Sequence, residues 1–135
     1  MTTNLTFTIS CLITGIILFQ SFFIAPSINK VINTKEASKL LRYLWPKFFI
    51  CIVLLSCLSL FVNYYSQTNN NMINYFIIIS IVFMLICYFI TPLINKAKDN
   101  SKNKLWTMLH LFSIILTVIT LIFNIVIISY WQFNT

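Results

Sequence analysis

Acidic residues are almost missing from this chain. Glu36 and Asp99 are the only two among 135 residues, and charged residues of both signs make up 8%. A soluble domain carries about 25% charged residues. So few charges cannot cover a water-facing surface, and the 59% hydrophobic content makes this a membrane protein by composition. Neither acid falls inside an apolar stretch, and no Lys or Arg lies deep in one. Intramembrane ionisable groups mark ion paths and proton relays, so their absence argues against ion-coupled transport. Histidine is scarcer still. His110 stands alone, which excludes a bis-His haem site, and Met108, two positions away, cannot point at the same iron. A haem-dependent oxidoreductase is therefore the weakest reading. The four cysteines, Cys11, Cys51, Cys57 and Cys87, lie in apolar stretches and form no C-x-x-C pair. They read as small hydrophobes, and no metal site is expected without clustered ligands.

Long apolar sequence is what the chain has in abundance. Four stretches stand out: 5–24, 48–62 with an amphipathic lead-in from Leu40, 72–90 and 105–131. About 20 apolar residues span a bilayer core of about 30 Å. Backbone polar groups in lipid must be satisfied within the segment, which makes helices the default. Strict alternation of polar and apolar residues would indicate a barrel, and "YFIIISIVFMLICYFI" does not alternate. The first stretch has no basic flank, since residues 1–29 contain no Lys or Arg. It also lacks a small-x-small cleavage site, so a retained helix is expected rather than a signal peptide.

All nine basic residues fall in two loops. Lys30, Lys35, Lys39, Arg42 and Lys47 separate the first two stretches, and Lys96, Lys98, Lys102 and Lys104 separate the last two. Short loops rich in Lys and Arg stay in the cytoplasm, which predicts both termini outside. The net charge of +7 fits anionic lipid headgroups beside those loops, each cation adding about 1 kcal/mol of attraction. A nucleic-acid partner is not expected. Aromatic residues mark the same interfaces: Tyr64, Tyr65, Tyr75, Tyr130 and Trp131 near the outer ends, and Tyr43, Trp45 and Trp106 near the inner ones.

The chain also repeats itself. "FIAPSINK" at 23–30 and "FITPLINK" at 89–96 agree at six of eight positions, 66 residues apart. Pro26 and Pro92 are expected to kink or end their helices near the inner face, because proline lacks an N–H and disfavours helix before it. Upstream, the same shift pairs Thr14 with Ser80 and Ser21 with Cys87. Downstream the shift becomes 61 and pairs Trp45 with Trp106, Ser56 with Thr117, Ser59 with Thr120, and Asn63 with Asn124. Ser56, Ser59 and Asn63 share one helix face, as do His110, Ser113, Thr117, Thr120 and Asn124. Small polar stripes let membrane helices approach and hydrogen-bond across the contact. The expected fold is thus an all-α membrane protein, one domain over 1–135. Its four transmembrane helices form two parallel-repeat helical hairpins, 1–66 and 67–135, N-out and C-out. Thr34 is a plausible N-cap with Glu36 in the first turn, opening a basic amphipathic helix at the membrane surface.

These features resemble a known family. Gly15, the only glycine, precedes an apolar run ending at Pro26; Ala37 follows a short polar stretch; "WPKFF" opens the second span. The third span closes on Pro92, Asn95, Lys98 and Asp99, and the fourth opens with Trp106, Leu109, His110 and Ser113. The pattern resembles small four-helix membrane proteins like transmembrane protein 205, with Thr117 where that family leads one to expect Asn. The resemblance implies a membrane bundle and no catalytic residues.

The functional expectation is an integral membrane protein and not an enzyme. It would bind a partner protein, a lipid or a hydrophobic small molecule. The alternative is a transport or efflux component acting as an oligomer, with Gln20, Asn63 and Asn124 as the polar groups near its interior. The setting is a cell membrane, the inner membrane of a bacterium. No catalytic, cofactor or metal residues are assigned. A candidate inner-face pocket joins Asn29, Asn95, Asp99, His110 and Ser113, and Gly15, Pro26 and Pro92 are structural. His110, whose ordinary pKa is nearest neutrality, is expected to bond a carbonyl or Asn95, or to serve that pocket.

Overall fold

The computed structural model of the protein describes residues 2–65 and 71–134, with side chains described over 5–65 and 71–131. The outer loop expected around 66–70 lies outside the described residues. Every regular element among the described residues is helical: α1 (Thr2–Phe19), a π-helical turn (Gln20–Ile24), α2 (Ala25–Val31), α3 (Thr34–Tyr65), α4 (Asn71–Asp99) and α5 (Asn103–Asn134). Four helical segments are long and apolar enough to cross a membrane, the first running from Leu5 to Val31 through the π turn. At 1.5 Å per residue the longest helices reach roughly 48 Å, beyond the apolar thickness of a bilayer.

The prolines end nothing. After Pro26 the helix continues to Val31, Pro92 lies two turns inside α4, and Pro46 lies inside α3. Membrane helices tolerate proline where local adjustment satisfies the freed backbone. Here the adjustment sits just before Pro26: the Ala25 N–H donates to the Gln20 carbonyl, five residues back. This is the π-type bond, which holds one more residue per turn than an α-helix.

The turns between helices are capped locally. Asn33, not Thr34, caps α3: its Oδ1 accepts from the Glu36 N–H at 2.9 Å. The cap lies one residue before the expected Thr34, because helix geometry selects the residue whose side chain reaches the third N–H. Helix α4 ends with Ser101 in the left-handed region (φ 55°). The Lys102 N–H donates to Ala97 and the Ser101 N–H to Lys98, at 3.0 and 3.1 Å. This is a Schellman closure with serine where glycine is usual.

The helices form a ring. Helix α3 packs on α1 and α4, and α5 packs on α4 and α1; α1 and α4 are diagonal. Ile9, Ile13, Ile17, Phe49, Ile52, Met84 and Leu116 form the main core, and Ile73, Ile77 and Ile127 a second. Ser56, Ser59, Asn63, Thr120 and Asn124 are buried, while Thr117 is half-buried. Most of these polar groups do not bridge helices as expected. Ser80, Thr91, Thr117 and Thr120 bond the carbonyl four residues back in their own helix, at 2.8–3.0 Å. Asn63 does cross, donating to Asn74 Oδ1 at 2.7 Å. A hydroxyl satisfied by its own helix behaves as a small packing residue.

Candidate functional site

The π turn determines where the bundle opens. Helix α1 packs against both α3 and α5, yet no Cα of the π turn or α2 comes within 8 Å of α4 or α5. Only α3 keeps contact with α2. The first helix therefore leaves α5 beyond Phe19, and a cavity of about 490 Å³ occupies the space between them, the α3 start and the α4 end. That volume lies within the range of about 300–1,000 Å³ typical of small-molecule sites.

Residues related by the two sequence shifts line the wall together. At the 66-residue shift, Ala25 and Asn29 correspond to Thr91 and Asn95, and all four line the cavity. At the 61-residue shift, Trp45 and Phe49 correspond to Trp106 and His110, and these four line it too. Each pair is a stacked i, i+4 couple. Trp45 and Phe49 have ring centroids 5.9 Å apart at 24°, and Trp106 and His110 are 5.5 Å apart at 7°. His110 thus occupies the place of a phenylalanine. Among the described residues it bonds neither Asn95 nor a carbonyl, so the expected helix-pinning hydrogen bond is replaced by stacking on Trp106.

Polarity is graded along the cavity. Away from the basic end its lining is mainly apolar, with Ile17, Phe49 and Leu121 beside the small polar Ser113 and Thr117, and Ile114 and Val118 at its exposed side. Asn29, Ser38, Arg42, Asn95 and Lys98 form the rim at the basic end. Arg42 is clamped by Asp99 through two bonds, Nη1 to Oδ2 at 3.0 Å and Nη2 to Oδ1 at 2.5 Å. This ion pair joins the two basic loops, 57 residues apart in sequence. The Lys98 ammonium lies 5.4 Å from the Trp106 ring.

Asn29, Asn95, His110 and Ser113 are therefore brought together on one cavity wall. Asp99 is not on that wall; it faces an adjoining surface recess shared with Lys35 and Lys39. Pro26 and Pro92 are exposed beside the lining residues Ala25 and Thr91. Gly15 is remote in role: a Cβ there would meet no atom within 4 Å, so no close helix approach requires it. Sequence reasoning missed Arg42, Lys98 and Phe49 as wall residues. The 61-residue shift, continued from Trp45 to Phe49, would have found the last. All four cysteines are free and only Cys87 is buried, its Sγ donating to the Ser113 carbonyl at 3.7 Å. No metal-ligating cluster exists among the described residues.

One family's sequence profile, described as Domain of unknown function (DUF4149), matches residues 8–103. The chain belongs to the DUF4149 family. The match runs from α1 to the first residue of α5, so it covers the π turn, both basic loops and the Arg42–Asp99 clamp. His110 and Ser113 fall beyond it. No curated protein and no solved structure matches.

Proposed function

We propose that this DUF4149 protein is a non-enzymatic integral membrane protein that binds a hydrophobic or amphiphilic molecule in the cavity at its basic end. One observation carries the reading: all four spanning segments contribute to a cavity with an apolar depth and a polar rim. Such gradation suits an amphiphile better than a polar solute. Above it, Ile13, Ile52 and Met84 are packed to near-zero exposure, which favours a binding site over a path for transport through an oligomer.

The membrane placement follows from charge. With the nine basic residues at the end where Arg42 meets Asp99, the positive-inside rule sets both termini outside. Anionic headgroups then lie against the basic loops, and the inner membrane of a bacterium is the setting that fits. A reporter active only outside the cytoplasm, fused to the C-terminus, should be active; silence in a correctly inserted fusion would reverse the orientation.

The two hairpins are read as a parallel repeat related by an axis along the membrane normal. Burial supports it with a refinement. Before the π turn, Thr6, Ser10, Ile13 and Ile17 share burial with Ile73, Ile77, Ser80 and Met84, a shift of 67. After it the shift is 66, as the octapeptides require. One extra residue held in the π turn accounts for the difference. It also explains why Ser21 is exposed although Cys87 is buried. The closer kinship with proteins like transmembrane protein 205 belongs to this same reading and rests on the motifs from Gly15 to Ser113.

The test is mild extraction followed by native mass spectrometry. The protein should carry a small adduct that is lost when Ser113, on the buried wall, is replaced by Trp. Adduct-free native protein, or an adduct unaffected by that replacement in a folded variant, would refute binding in this cavity.

A further inference from the structure

The rim of the cavity is not electrically neutral. The described ion pairs are Lys39–Glu36 and Arg42–Asp99, and they engage both acids of the chain. Lys98 borders the cavity with no carboxylate partner, its ammonium over the Trp106 face. Arg42 borders the cavity too, and it also borders the recess that holds Asp99. Lys98 borders that recess as well, so among the described residues the inner rim presents two cations, Arg42 in an ion pair with Asp99 and Lys98 outside ion-pair distance of any acid.

We propose that the occupant is a membrane-derived amphiphile with an anionic head, seated head-first on Lys98 and Arg42. Its chain leaves sideways between the π turn and α5. This rests on the binding reading above and names its ligand class. Charge complementarity selects the head. A phosphate or carboxylate at the rim gains charge-assisted hydrogen bonds from Lys98 and Arg42, roughly twice as strong as the neutral ones that Asn29, Ser38 and Asn95 offer. Geometry selects the path of the chain. Leu18 and Phe22 border the cavity on one side and Ile114 and Val118 on the other, and all four are exposed to the surroundings. The π turn and α2 keep their backbone more than 8 Å from α5, so the gap between these pairs is lateral. The opposite end is filled by core side chains.

Asp99 acquires a role in this arrangement. Its carboxylate occupies the guanidinium that the ligand head would use, and it is more exposed than Arg42. It acts as a built-in competing anion. A ligand head must share Arg42 or draw it away, so Asp99 sets how strong an anion the site demands.

Tryptophan quenching in phosphatidylcholine nanodiscs tests the proposal. In a Trp131→Phe background, the remaining Trp45 and Trp106 both line the cavity. Three brominated amphiphiles with the same single chain are titrated: a lysophosphatidate, a lysophosphatidylcholine and a monoacylglycerol. The lysophosphatidate is expected to half-saturate at about tenfold lower concentration than the monoacylglycerol, the step from a neutral to a charge-assisted bond, with the zwitterionic lysophosphatidylcholine between them. Lys98→Gln should remove most of that preference, and Asp99→Asn should enlarge it several-fold. Glycerol 3-phosphate, the head without a chain, should not displace the lysophosphatidate at equal concentration. Absence of saturable quenching by all three would overturn the binding reading itself. Equal half-saturation by all three would leave binding intact and overturn the anionic ligand class. A preference that survives both Lys98→Gln and Arg42→Gln would place the head elsewhere, and equal competition by glycerol 3-phosphate would make the ligand a soluble anion; either result overturns the proposal.

Discussion

Replacing His110 by phenylalanine, leucine or glutamine separates what its ring does from what its nitrogens do. The ring lies parallel to Trp106 at 5.5 Å, and the equivalent couple on α3 already uses phenylalanine, Phe49 on Trp45 at 5.9 Å. His110→Phe keeps that geometry. Its thermal stability in detergent is expected to equal the native value or exceed it slightly, since the ring is half-buried against apolar neighbours. Leucine and glutamine both lose the stack. An aromatic pair contributes about 0.5–1.5 kcal/mol beyond its buried area, so each should lower the unfolding midpoint by a few degrees. Trp106 emission, followed alongside circular dichroism, reports the stack directly. The reasoning is refuted if glutamine matches the native protein while phenylalanine is the least stable variant. That ranking would mean a nitrogen of His110 carries a hydrogen bond and the stack contributes nothing.

Three further substitutions test the local physics. Gly15→Ala should stabilise the protein by up to about 1 kcal/mol, because glycine is that much poorer within a helix and an added Cβ meets no atom within 4 Å; a loss of stability would reveal a hidden close contact. Ser101→Gly should also stabilise, by about 1 kcal/mol, since the left-handed conformation at φ 55° penalises a side chain; thermal unfolding checks it. Asn63→Ala should destabilise by roughly 0.6–1.7 kcal/mol, the range for a hydrogen bond between membrane helices. It removes the 2.7 Å bond to Asn74 from a fully buried site, and thermal unfolding in detergent checks it.

Much of this arrangement was legible in the residues. Hydropathy located four helices long enough to span, because lipid restricts the backbone to helix or closed barrel and the apolar runs do not alternate. The octapeptide repeat located Asn29 and Asn95 on one wall, since equal sequence in equal helices faces the same interior. What escaped was the π turn. Its bond from Ala25 to Gln20 is a response to Pro26 and to packing, and nothing in "FQSFFIAP" distinguishes a five-residue turn from a four-residue one. On the repeat reading proposed above, the π turn pairs Ile13 rather than Thr14 with Ser80. Missing the turn also hid the reason the bundle opens on that side. Proline's missing N–H makes a kink or an end the expectation at Pro26 and Pro92, and the ends are not there, since helix continues past both. The Arg42–Asp99 clamp was illegible for another cause: it joins loops 57 residues apart, and only the closed ring of helices brings them together.

Cysteine accessibility tests the cavity most directly. In a background with Cys11, Cys51, Cys57 and Cys87 replaced by alanine, single cysteines are placed at Ser113 and Ser59. Both positions are buried, but Ser113 lines the cavity while Ser59 lies on the buried α3 stripe beyond it. A small methanethiosulfonate reagent applied from the basic-loop side should modify Ser113→Cys readily and Ser59→Cys hardly at all. A bound anionic amphiphile should slow the first reaction and leave the second unchanged. Equal inertness at both positions, or a Ser113→Cys rate that the amphiphile does not alter, would contradict the cavity as a binding site.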